Sequence, residues 1–123
     1  MRRSFLFGAL GMCLATSALA QALPPPFENV EQVVCVDQKT AIDLLAVYEQ
    51  EIQAGEQLLP HLASRGLCER ATFSGKPIAD AHTSPIRKQQ EGHVFEVVVT
   101  NGEVLKGRTK AYMLLYIMHD NEV

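Results

Sequence analysis

Apolar positions recur with a helical period between Asp37 and Gly66, and the period is lost after Cys68. Ala41, Leu44, Leu45, Tyr48 and Ile52 follow the i, i+3, i+4, i+7, i+11 rhythm of one buried stripe. Lys39, Asp43, Glu49, Gln50 and Gln53 occupy the rest of the cylinder. Asp37 is placed to cap the start, because its carboxylate can accept the free amide protons of the first turn. Ala54 and Gly55 are expected to interrupt this helix. Leu58, Leu59, Leu62 and Ala63 then form a second apolar face, Pro60 restricts where the second helix begins, and Gly66 supplies a left-handed C-terminal cap.

Beyond Cys68 the chain reads as strands separated by Gly, Pro and Asn turns. Residues 68–73 form a short strand, Ser74-Gly75-Lys76-Pro77 a turn, and residues 78–87 a polar extended segment. Residues 93–100 are nearly all β-branched or aromatic apart from Glu96. Asn101-Gly102 fits a two-residue hairpin turn, since both residues tolerate positive φ. Residues 103–106 return from it, Gly107 bends the chain, and residues 109–118 make the longest strand. The predicted fold is α+β: two N-terminal helices packed on a small antiparallel sheet of three to four strands, with one disulfide.

The last strand is apolar on both sides. Ala111, Met113, Leu115 and Ile117 alternate with Tyr112, Leu114, Tyr116 and Met118. One side can rest on the two helices. The other needs a second layer or a partner chain, which marks Tyr112, Leu114, Tyr116 and Met118 as a candidate partner surface.

The N-terminal residues change the compartment. Arg2 and Arg3, an apolar stretch from Phe5 to Ala15, and an Ala-x-Ala site at Ala18 and Ala20 have the layout of a secretory signal peptide over residues 1–20. The apolar stretch falls short of the roughly 20 residues that cross a bilayer, so no membrane anchor is expected after cleavage. Cys13 follows Met12 rather than a small residue, which argues against lipidation. Residues 21–32 contain three consecutive prolines and read as a flexible arm, leaving residues 33–123 as a single small domain. Cleavage leaves Cys35 and Cys68 in an oxidising periplasmic or secreted setting, where only one intrachain bridge can form between them.

Export also shifts the charge balance. The chain carries 11 Lys and Arg against 14 Asp and Glu, a net charge of −3, and loss of Arg2 and Arg3 takes it to −5. An acidic mature domain disfavours nucleic acid and anionic lipid as partners.

Candidate chemistry is sparse. Asp80, His82 and Ser84 alternate, but neighbours two apart on a strand stand about 6.6 Å apart with parallel side chains, too far for a base to reach its nucleophile. His61, His82, His93 and His119, with Met113 and Met118, lack metal-ligand spacing. Ser74-Gly75-Lys76 lacks the upstream glycine of a phosphate loop, and Pro77 replaces its magnesium-binding hydroxyl. No catalytic residue, metal site or cofactor is therefore assigned. The residues point to a small non-enzymatic envelope protein, such as a periplasmic inhibitor or accessory module, that binds another envelope protein or itself. The alternative is a small-ligand or metal carrier using the histidines. The mature protein is expected to begin at Gln21, which mass spectrometry of the product from its own host checks directly; retention of Met1 would contradict it.

Overall fold

A computed structural model describes residues 23–84 and 90–118, with backbone alone at residues 90 and 116–118. The elements run β1 (Phe27–Cys35), α1 (Gln38–Gln50), α2 (Ile52–Ser64), β2 (Cys68–Thr83), β3 (Gln90–Asn101) and β4 (Lys110–Met118). The strands pair antiparallel in chain order, and β4 returns to pair with β1, so the sheet closes into a small barrel.

The alternation of each strand divides the apolar residues between two layers. Val34, Phe73, Phe95, Val97, Ala111 and Met113 point into the barrel. Val33, Cys35, Cys68, Val94 and Leu114 point outward, beneath Ala41, Leu44, Leu45 and Leu59 of the helix pair. Over residues 111–114, the two apolar sides of the last strand are thus occupied by the barrel interior and by the helices.

The sequence predicts two N-terminal helices, but the helices follow β1. Phe27–Cys35 escaped recognition because a bulge at its start breaks the period of two. The register with β2 shifts between Phe27 and Val30, and Asn29 between them has a φ of 51°. Phe27, inside the segment read as an arm, packs edge-on against Phe73 with ring centroids 5.3 Å apart.

Other boundaries moved for physical reasons. α1 ends at Gln50, the extended backbone of Glu51 separates the helices, and Gly55 lies inside α2. Ile52, read as part of the buried stripe, begins α2 and is 54% exposed. Pro60 sits within α2 on its exposed side, where the Glu56 carbonyl loses its i+4 amide donor. Ser74-Gly75-Lys76-Pro77 is no turn: β2 runs straight through it, absorbing the glycine and proline in register shifts that coil the strand round the barrel. The Asn101-Gly102 hairpin is longer than two residues. Residues 103–106 do not return as a strand; Val104 and Leu105 turn inward and close one end of the barrel.

The caps agree with the sequence. Asp37 accepts from the Thr40 amide at 2.7 Å. Gly66, at φ 73°, ends α2 in a Schellman turn, with Leu67 N–H donating to Leu62 O and Gly66 N–H to Ala63 O.

Cys35 and Cys68 face each other on β1 and β2 and are disulfide-bonded. The Val36 amide donates to Leu67 O at 2.8 Å just beyond them. The whole helical excursion is therefore closed at its base. Bridging residues 33 apart in sequence restricts the unfolded chain by about 4 kcal/mol on a chain-entropy account. Replacing both cysteines with serine is expected to lower unfolding stability by about that amount in urea titration, and a loss under about 1 kcal/mol would contradict this role.

Candidate functional site

The closing seam of the barrel is short. β1 and β4 pair only at Val33 with Leu114, Val34 with Met113, and Cys35 with Tyr112. β1 continues back to Phe27 alongside β2, and β4 continues on to Met118 alongside β3, but the two strands no longer pair with each other. Among the described residues, the edges of β1 and β4 that face each other beyond Val33 and Leu114 have no strand partner. The bulge at Asn29 offers a cause, since it turns the start of β1 toward β2 and the barrel interior.

A cleft of about 300 Å³ opens where the pairing stops, between the split seam and the helices. Val33, Leu45, Ile52, Leu114 and Leu115 make it apolar, and Gln32, Tyr48, Glu56 and Arg70 give it a polar side. Glycine at position 55 allows the wall to form: a Cβ there would lie 2.5 Å from the Tyr48 ring, so α2 could not approach α1 as closely. The Tyr48 hydroxyl donates to Glu56 Oε2 at 2.7 Å, and the Arg70 guanidinium donates to the same oxygen at 2.6 Å.

These contacts set the protonation states. Desolvation, reinforced by the Glu56 carboxylate, pushes the Tyr48 phenol up to about 12. The hydrogen bond from Tyr48, together with Arg70, holds Glu56 below the ordinary carboxylate value. Arg70 is raised by its bond to Glu56. At neutral pH the trio is thus a neutral phenol and a carboxylate–guanidinium pair. Tyr48, Glu56 and Arg70 lie on three different elements, and no local spacing announces them in the sequence.

The residues proposed for a partner surface are split by the structure. Tyr112 is half-buried against the cluster beneath the helices, and Leu114 is 7% exposed, contributing to both that cluster and the cleft. The side chains of Tyr116 and Met118 lie outside the described residues, as do the whole of Cys13, Ala18, Ala20 and His119.

Asp80, His82 and Ser84 go separate ways. Thr83 Oγ1 donates to Asp80 Oδ2 at 2.7 Å and lies 3.1 Å from His93 Nδ1. His93 stacks on Phe95, and its Nε2 lies 3.6 Å from Glu91. The His82 side chain takes no part; only its amide bonds Asp80. Ser84 donates instead to Glu49 of α1, tying the helix to the β2–β3 hairpin. The imidazole between two carboxylates serves as a cross-strand clasp, with its one hydroxyl neighbour already donating to Asp80. His61 is exposed on α2, away from His93. Among the described residues no group of three or more His, Cys, Asp or Glu side chains is arranged to hold a metal ion.

The chain matches no protein-family model, no curated protein and no solved structure.

Because the Tyr48 phenol is neutral far above the ordinary pH, the stability it contributes is complete below the unfolded value near 10 and is lost as pH rises through about 12. Glu56→Gln removes the charge but leaves the burial. The Tyr48 midpoint, assigned by difference from Tyr48→Phe in tyrosinate absorbance, is therefore expected to fall while staying above the free-tyrosine value. An unchanged midpoint would contradict the arrangement.

Proposed function

We propose that this is an exported, non-enzymatic binding module that takes up an extended segment of another envelope protein at the open seam. The observation that carries the reading is the coincidence of the apolar cleft with the edges of β1 and β4 that have no strand partner among the described residues. Unpaired strand edges attract a further strand through main-chain hydrogen bonds, and an adjacent apolar pocket gives that strand its side-chain specificity. Cleavage of residues 1–20 would deliver the module to the periplasm or the medium, where a buried bridge such as Cys35–Cys68 persists. No helix among the described residues is long and apolar enough to cross a membrane.

A small-ligand carrier is the second reading, favoured by the cleft itself, whose volume of about 300 Å³ stands at the lower end for ligand pockets. It leaves the open strand edges without a purpose, and for that reason the polypeptide partner is preferred. The exposed Ile52 is the natural reporter, because its side chain borders the cleft without supporting the core. With photo-reactive benzoyl-phenylalanine in place of Ile52, illumination in the native host is expected to give a discrete adduct mapping to one segment of one protein. The same group at exposed Lys39 should give none. Equal labelling from both positions, or none from Ile52, would contradict the proposal.

A further inference from the structure

Resting on the seam as a binding site, we infer that the segment it accepts carries a neutral carboxamide, from glutamine or asparagine, at the fork of the seam, and that Gln32 reads it. Gln32 of β1 and Leu115 of β4 are the first residues on the open side of the last pair between these strands, Val33 with Leu114. Register fixes the side on which each stands. Gln32 pairs with Ala71 of β2, and Ala71 and Leu115 both pack against the cluster inside the barrel. Residues paired across a ladder share a face, so Gln32 belongs to that inner layer as well. Glu31, Val33 and Arg70 stand on the opposite, outer side: Val33 lies beneath the helices, Arg70 is its partner on β2, and Glu31 is two residues along β1. These two charges are therefore outside, and the side chain set between Ala71 and Leu115 is a half-buried carboxamide. No hydrogen bond engages that carboxamide among the described residues.

A segment laid along either open edge sets one residue level with Gln32 and Leu115, and that residue faces the inner layer as they do. Its neighbours turn outward, to Val33, Leu114 and the apolar wall of the cleft. The two sides therefore ask for different chemistry. Outward residues meet carbon and should be apolar. The inward residue covers Gln32 and excludes solvent from it, so it either supplies hydrogen bonds of its own or leaves the carboxamide unsatisfied. A second carboxamide does this best, because each offers N–H donors and a carbonyl acceptor and two can pair through reciprocal bonds. Lysine or glutamate could make one such bond, but would carry its charge against the apolar layer of Ala71, Leu115 and the cluster beneath them. An apolar residue avoids that cost and leaves Gln32 unpaired.

The test uses the disulfide-intact mature chain and four end-blocked fluorescent peptides with one common solubilising tail, read by anisotropy. They alternate valine with glutamine, methionine, lysine or glutamate. The glutamine peptide is expected to bind at least about tenfold more tightly than the other three, the discrimination expected of two hydrogen bonds made or left unmade. Gln32→Met keeps the length of the side chain and removes both bonding groups. It should cost the glutamine peptide about tenfold and leave the methionine peptide as tight or tighter, whereas a merely structural role would weaken both alike. Far-ultraviolet circular dichroism checks that the variant remains folded, and the comparison of peptides on the unaltered chain stands without it. Equal binding of the glutamine and methionine peptides, tighter binding of either charged peptide, or an equal loss of both uncharged peptides in Gln32→Met overturns the inference. Absence of all peptide binding with a discrete adduct from the Ile52 position overturns the carboxamide preference alone; absence of both removes the seam as a binding site.

Discussion

Cys35 is the joint on which the architecture turns. It ends β1, faces Tyr112 of β4 on one side and bonds to Cys68 of β2 on the other, so one residue fixes three strands together. It is completely buried beneath the helices. Immediately beyond it the chain leaves for the helical hairpin and returns at Cys68, with Val36 and Leu67 bonded across the base. The barrel therefore closes where the helices are anchored, and β1 is free to part from β4 further back. Closure and opening are two ends of one strand: Val33 and Cys35 pair with β4, whereas the stretch near the Asn29 bulge pairs, among the described residues, with β2 alone.

This division explains what could be read in the sequence. Helical periodicity revealed Ala41, Leu44 and Leu45 because all three face one barrel wall, and the Asp37 and Gly66 caps were legible because their chemistry is local. The cysteine pairing is legible because only Cys35 and Cys68 remain once residues 1–20 are read as a leader. The two-sided apolar character of β4 was also visible, but its meaning was not. A strand whose sides line a barrel interior and a helix layer looks the same in sequence as one awaiting a partner.

The misread elements share a cause. β1 hides behind a bulge and an upstream proline run, and β2 passes through a Ser-Gly-Lys-Pro segment that would end a flat strand. A tightly coiled strand uses such residues for its bends. The candidate site was hardest to foresee, because Gln32, Ile52 and Arg70 meet only when the seam and the hairpin are placed together. Position 52 misled most. Its spacing from Tyr48 suits a continuous helix, but the break at Glu51 turns Ile52 out to the cleft. In the same way Asp80 was singled out beside the wrong neighbours: the strand pairing brings it to Thr83 and His93, a clasp between β2 and β3 that sequence adjacency could not show.

Amide hydrogen exchange of the oxidised protein measures, residue by residue, whether the seam is closed at one end and open at the other. Residues 33–35 and 112–114 are predicted to be protected without interruption. In residues 30–32 and 115–118, amides directed toward β2 or β3 should be slow and those directed into the open seam fast, giving an alternating pattern. Unbroken protection through residues 115–118 would mean that β4 has a strand partner along its full length, and the open seam would not exist.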